Sequence, residues 1–212
     1  MPMQKPAKAL MPLTRCDQCS KHPKPGMMMK IFGILIALFS SAVLAKPIFE
    51  TYTEEKTTGW SVVSQALAGV IVRSDADLKL QADQEMAEKG VKAGDYRQLF
   101  VSRKIPLSAD HKTFLFVRPK SFPYFQAFYG AHIFCHWIVD DRNNILYGGN
   151  SDAFRVLGSS RNGMKDIEEA QCRGGKCYLV KLAFKAGKYQ ETSCATQDID
   201  SGKVTKGCDS GK

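Results

Sequence analysis

The sequence predicts an α+β fold in which one helix covers an antiparallel β-meander that is stapled by disulfides. Three observations lead to this class. Residues 74–90 carry the start and end signals of a single clear helix. From Asp95 onward, short apolar segments alternate with turn residues about every ten positions, which is typical of antiparallel strands. Five of the seven cysteines follow Lys46, with spacings that suit disulfides in an oxidising compartment.

A predicted signal peptide precedes this domain. Residues 27–45 have the parts of a signal peptide: Lys30 at the front, the 15-residue apolar run Ile31–Ala45, and small side chains at its end. The run is short for a helix that crosses a bilayer. We therefore expect cleavage after Ala45, a periplasmic location and no membrane span in the mature chain. Residues 1–26 are expected to be a disordered extension or a start codon assigned too early.

Removal of the leader changes the charge argument. The whole chain has a formal net charge of +9 at pH 7. The first 45 residues hold six Lys or Arg and one Asp, a net charge of +5, so +4 remains for the 167 residues from Lys46 on. This mild positive charge favours solubility or an acidic partner over nucleic-acid binding.

The first elements of the mature chain follow from caps and apolar content. Residues 46–59 are polar and are expected to form an extended entry segment. Residues 60–72 are apolar and β-branched, so a short helix within them or part of a strand fits equally. Ser74 or Asp75 caps the predicted cover helix, and Lys89-Gly90 ends it, because glycine readily takes the left-handed conformation after a helix.

The remaining chain is expected to form the meander. The residues after Cys194 are polar and have little to bury, so we expect one globular domain, residues 46–194, and a polar tail, residues 195–212. The predicted strands are residues 96–105, 113–118, 131–139, 145–147, 154–157, 167–172, 177–184 and 189–194.

The segment Cys172-Arg-Gly-Gly-Lys-Cys177 gives the most specific structural prediction. If Gly174-Gly175 form a two-residue turn, Arg173 faces Lys176, and Cys172 faces Cys177 at the next pair. Cα atoms at a non-hydrogen-bonded pair lie about 4.5 Å apart, which is within disulfide range. We expect this bond, which would present Arg173, Gly174, Gly175 and Lys176 either as a plain hairpin tip or as a basic partner-binding tip.

Three cysteines remain after this pair. Cys194 and Cys208 are expected to form the second disulfide, which leaves Cys135 as a free thiol among apolar neighbours. The alternative pairing joins Cys135 to Cys194 and leaves Cys208 free.

His132 and His136 are candidate metal ligands. Side chains alternate between the faces of a strand, so these two histidines share one face and Cys135 points to the other. A carboxylate such as Asp152 would be the third ligand of a catalytic metal. The commoner interpretation is a pair of half-buried sheet histidines, and we expect no metal and no cofactor.

Other recognisable sites are lacking. The sequence has no Gly-x-Ser-x-Gly, no His-Glu-x-x-His and no phosphate-binding glycine loop. An aromatic-rich segment forms either a wall of the core or a partner-binding patch. Its members are Phe122, Tyr124, Phe125, Phe128 and Tyr129.

Two motifs carry a family resemblance. The segment 156–167 contains Asn162-Gly-x-x-Asp-Ile, and the segment 184–189 ends in Gly-Lys-Tyr. With these motifs, residues 95–194 resemble a group of small secreted bacterial β-domains. The resemblance implies periplasmic proteins without recognised catalytic residues, some of them similar to inhibitors or immunity proteins.

These observations give two main functional hypotheses. The first is a non-enzymatic periplasmic binding protein, an inhibitor or immunity protein against a cell-wall hydrolase or toxin. The second is an envelope metal-dependent hydrolase that uses His132 and His136. A structural envelope protein without a discrete partner is a third.

Overall fold

The fold class predicted from the sequence is wrong. The structure, a computed structural model, describes residues 46–110, 112–120, 128–129 and 133–208. Strands take up 50% of these residues and helices 17%, so the class is mostly β rather than α+β. The described residues form two α-helices and two antiparallel sheets, instead of the one cover helix and one meander expected.

Both helices lie in the first part of the described chain. Helix α1 comprises Gln65–Arg73, and the Ser64 hydroxyl accepts a backbone N–H of its first turn at 3.2 Å. Helix α2 comprises Ala76–Glu88 and is the predicted cover helix; the Asp75 carboxylate accepts two backbone N–H groups of its first turn. The apolar segment 60–72, which fitted a helix or a strand equally, therefore contributes most of α1.

The strands form two antiparallel sheets. They are β1 Phe49–Tyr52, β2 Ser61–Val62, β3 Phe100–Ile105, β4 Phe114–Pro119, β5 Phe134–Val139, β6 Ile145–Ser151, β7 Ala153–Arg161, β8 Met164–Arg173, β9 Lys176–Lys185, β10 Lys188–Asp198 and β11 Val204–Lys206. The five-stranded sheet has the order β2-β3-β4-β5-β6, and the six-stranded sheet has the order β1-β7-β8-β9-β10-β11. The chain passes between the sheets at Asp152, the one residue that separates β6 from β7.

The five-stranded sheet is the middle layer of the domain. Along β5, Trp137 and Val139 pack against the helices, whereas Phe134 and Ile138 pack against the six-stranded sheet. A strand buried on both faces needs apolar side chains at successive positions. A single sheet with one helix, as predicted, would leave one face of β5 exposed to water. The second sheet covers that face, which is why the predicted class is wrong.

The six-stranded sheet ends in long hairpins. Strand β10 runs to Asp198, and β11 pairs with it in antiparallel register. Residues 195–206, expected to lie in a polar tail, are thus largely part of this sheet. The turn between β8 and β9 projects Arg173 to Lys176 at its tip.

Candidate binding surface

The β8–β9 tip has the register that the sequence predicts. Cys172 pairs with Cys177, and Arg173 pairs with Lys176. The two cysteine Cα atoms lie 4.0 Å apart and a disulfide joins the side chains. Gly174 and Gly175 have φ values of 60° and 77°, the left-handed conformation that a tight type I′ turn needs. The stapled hairpin is confirmed.

A neighbouring turn supports the tip. The backbone N–H of Ile199, in the β10–β11 turn, donates to the carbonyl oxygen of Gly175 at 2.9 Å. The Ile199 side chain is 54% exposed, so an apolar group stands beside the basic turn. Sequence reasoning missed this residue because it assigned the segment to a polar tail. The available signal was Asp200-Ser-Gly202 followed by Val204, which is typical of a hairpin turn.

The two cations of the tip have different surroundings. Lys176 lies opposite Asp198 in the β9–β10 register. Hydrogen bonds from Ser201 hold the pKa of Asp198 below its ordinary value, and the positive charge of Lys176 adds to this effect. Arg173 makes no ion pair within the part of the chain that the structure describes. The exposed guanidinium of Arg173 is therefore the less neutralised charge of the tip.

The remaining cysteines also follow the first prediction. The Cα atoms of Cys194 and Cys208 lie 5.4 Å apart, within the range for a disulfide. Cys135 takes part in neither of these disulfides; it is of intermediate burial and packs against the core cluster that includes the helices. The arrangement favours the Cys194–Cys208 pair over the alternative Cys135–Cys194 pair.

His136 is a fully buried residue between the two sheets. Its Nε2 lies 2.6 Å from Oε1 of Glu169, and its Nδ1 lies 3.3 Å from the carbonyl oxygen of Phe134. Since a carboxylate only accepts, Nε2 carries the proton in this contact. The imidazole ring stacks on Phe116, with ring centroids 5.3 Å apart. Each ring nitrogen of His136 thus lies within 3.3 Å of a protein oxygen atom in a fully buried position.

Asp152, the proposed third metal ligand, makes a different contact. The Asp152 carboxylate accepts the backbone N–H of Cys172, which ties the sheet crossover to the stapled hairpin. Within the described ranges, no group of three or more His, Cys, Asp and Glu side chains could hold a metal ion. His132 lies outside the described residues.

Several other predictions also concern residues that the structure does not describe. The leader 1–26 and the signal peptide 27–45 are among them, as are Phe122, Tyr124 and Phe125 of the aromatic segment. The two described aromatics of that segment differ in burial. Phe128 is buried in the core with the helices, and Tyr129 is half-buried with its hydroxyl donating to the carbonyl oxygen of Lys120 at 3.0 Å. The burial of Phe128 and Tyr129 supports the interpretation that this segment packs on the core, rather than forming an exposed partner-binding patch.

Comparisons with known proteins do not assign this chain to a family. No protein-family model matches it, and neither a curated protein nor a solved structure does so. The resemblance to small secreted β-domains therefore stays a prediction from sequence motifs. Within the described chain, neither helix has the length and apolar character needed to cross a membrane.

Proposed function

We propose that this chain is a non-enzymatic periplasmic binding protein that recognises another protein through its β8–β9 tip. Its partner would be a cell-wall hydrolase or a toxin, which the chain blocks as an inhibitor or immunity protein. The observation that carries the proposal is the stapled turn, which holds Arg173 exposed and without an ion pair in the described chain.

The composition of the tip supports protein recognition. An exposed Arg173 and an exposed Ile199 flank a turn whose backbone is fixed by the Cys172–Cys177 disulfide. Arginine and apolar side chains supply much of the binding energy at protein interfaces. A rigid tip loses little conformational entropy when it binds, which favours affinity.

The arrangement of the cysteines supports a periplasmic location. Two cysteine pairs have disulfide-compatible geometry in the structure. Such bonds persist in oxidising surroundings, of which the bacterial periplasm is one. The predicted signal peptide at residues 27–45 would deliver the chain there.

The proposal is tested by capture and inhibition. Mature protein beginning at Lys46 is immobilised, exposed to a periplasmic extract of the producing bacterium, and the retained proteins are identified by mass spectrometry. We expect recovery of one cell-wall hydrolase or toxin, whose activity falls when an equimolar amount of the mature protein is added.

Charge reversal at the tip provides the specificity arm. Resin carrying Arg173→Glu with Lys176→Glu should retain none of this partner. A matched variant, Arg73→Glu with Lys188→Glu, reverses two exposed cations elsewhere and should retain it fully. Recovery of no envelope enzyme or toxin, or equal recovery on the tip variant, would show that the proposal is wrong.

A further inference from the structure

A cleft lies at the opposite end of β9 from the stapled tip. Three elements form it: the C-terminal end of α1, the β5–β6 loop and the β9–β10 turn. Its volume is about 570 Å³. The cleft is shallow and open to solvent, so a ligand would lie along its lining rather than be enclosed by it.

Two cations face this cleft without acidic partners. Arg73 is the last residue of α1, and Lys188 is the first residue of β10. Neither forms an ion pair within the described ranges. None of the residues that line the cleft is acidic. The C-terminal end of α1 contributes about half an elementary negative charge, which the two cations outweigh.

One carboxylate of the β5–β6 loop, that of Asp140, is hydrogen-bonded within the loop. Asp140 Oδ1 accepts the backbone N–H groups of Arg142 and Asn144, at 2.9 and 2.8 Å. Its Oδ2 accepts the side-chain amide of Asn144 at 2.8 Å. These bonds hold the β5–β6 loop in shape. Asp140 therefore forms its bonds within its own loop rather than with Arg73 or Lys188.

The surroundings of the cleft add to its positive potential. Lys185 lies opposite Lys188 across the β9–β10 turn. The side-chain amide of Asn162 donates to the carbonyl oxygen of Phe184 at 2.7 Å, which holds the β7–β8 turn beside this hairpin. Clustered cations raise the local concentration of anionic ligands and their rate of association.

The floor of the cleft is apolar. Val70 on α1 and Ile145 and Leu146 at the start of β6 line it, and all three side chains are half-buried. A ligand that covers them removes apolar surface from water, which stabilises the complex. The lining therefore pairs two cations with an apolar surface.

We propose that this cleft binds a small amphipathic anion, with its carboxylate or phosphate between Arg73 and Lys188 and its apolar portion on Val70 and Leu146. This site is independent of the proposed partner tip. Strand β9 has 10 residues, and at about 3.3 Å per residue the two sites are roughly 30 Å apart.

Calorimetric titration of mature protein beginning at Lys46 tests the site. The probes are decanoate and decyl phosphate, with inorganic phosphate and decyltrimethylammonium as comparisons, all below micellar concentrations. We expect saturable one-to-one binding of decanoate, decyl phosphate or both, and the stronger of the two identifies the preferred head group. Inorganic phosphate should bind at least about tenfold more weakly, and decyltrimethylammonium should not bind.

Variants assign the binding to the cleft. Arg73→Gln with Lys188→Gln should weaken binding of the anionic probe at least about tenfold, whereas Arg173→Gln with Lys176→Gln should leave it unchanged. Both pairs of side chains are exposed, so thermal unfolding should match that of the parent protein. No saturable binding of either anionic probe, equal binding of the cationic probe, or unchanged affinity in the Arg73 and Lys188 variant would overturn the proposal.

Discussion

His136 and Glu169 place a hydrogen-bonded polar pair inside an aromatic core. The side chains are 0% and 8% exposed, and Phe134 and Phe154 lie against the imidazole with centroid distances of 5.2 and 5.1 Å. A buried polar group that loses its partner costs more than the hydrogen bond itself contributes, because the remaining group stays desolvated. The pair links β5 of one sheet to β8 of the other.

Removal of the carboxylate should therefore destabilise the fold. We expect Glu169→Ala to lower the free energy of unfolding by about 2 to 4 kcal/mol, because His136 Nε2 is left without an acceptor. Glu169→Gln retains an acceptor oxygen and should cost about 1 kcal/mol. Urea denaturation measures both. The double variant His136→Ala with Glu169→Ala should cost less than the sum of the two single changes; strict additivity would disprove the coupling.

Gly149 has no side chain, and this provides room for the His136–Glu169 pair. A Cβ atom at Gly149 would lie 2.6 Å from Glu169 Oε1 and 2.6 Å from the hydroxyl oxygen of Tyr147. Glu169 is held by His136 and cannot move aside freely. Gly158, in β7, is a matched strand glycine whose Cβ would meet nothing within 4 Å.

The two glycines should respond differently to alanine. Gly149→Ala should lower the free energy of unfolding by about 1 to 3 kcal/mol, because the added methyl group overpacks the pair. Gly158→Ala should stay within about 0.5 kcal/mol of the parent protein. Thermal and urea unfolding of the two variants side by side checks this. A Gly149→Ala protein as stable as Gly158→Ala would contradict the packing described for Glu169.

At the scale of elements, local sequence signals predicted the β8–β9 hairpin and helix α2 well. The spacing Cys172-x-Gly-Gly-x-Cys177 sets its own register, and Asp75 caps α2 through neighbouring backbone groups. Whether residues 65–73 form a helix or a strand depended on tertiary packing. Ile71 and Val72 suit a strand equally, but in α1 they are buried against the middle sheet. Local sequence cannot report that contact.

The staple should control the order of the β8–β9 tip. Replacement of Cys172 and Cys177 by serine removes a short-loop crosslink, which should lower the free energy of unfolding by about 2 kcal/mol. Amide hydrogen exchange at Arg173 to Lys176 should accelerate, while β5 in the middle sheet keeps its protection. Unchanged exchange at the tip would mean that the β10–β11 turn alone holds it.

At the scale of the whole molecule, the number of packed layers was not predicted from the sequence. Residues 148–152 are rich in turn formers, so the sequence predicts an ordinary turn between two neighbouring strands of one meander, whereas the chain changes sheets at Asp152. The consecutive apolar residues 114–117 were the available hint that β4 is buried on both faces. The predicted tip residues 173–176 lie together because their contacts are local, whereas Ile199 and the cleft depend on contacts between distant segments.

The basic surfaces of the domain lie at its two ends. The stapled tip joins Arg173 and Lys176 to Ile199, and the cleft joins Arg73 and Lys188 to an apolar floor. Because β9 separates them, each pair of cations can be changed without altering the other. This separation makes protein recognition at the tip distinguishable from anion binding in the cleft.

The dissociation constant of the captured partner tests the central claim most directly. It is measured by titration against mature protein, the variant Arg173→Glu with Lys176→Glu, and the variant Arg73→Glu with Lys188→Glu. We expect the tip variant to weaken binding at least about 100-fold, since two like charges would face the partner's complementary surface, and the cleft variant to change it less than about threefold. Equal affinity of the parent protein and the tip variant would contradict the assignment of the β8–β9 tip as the binding surface.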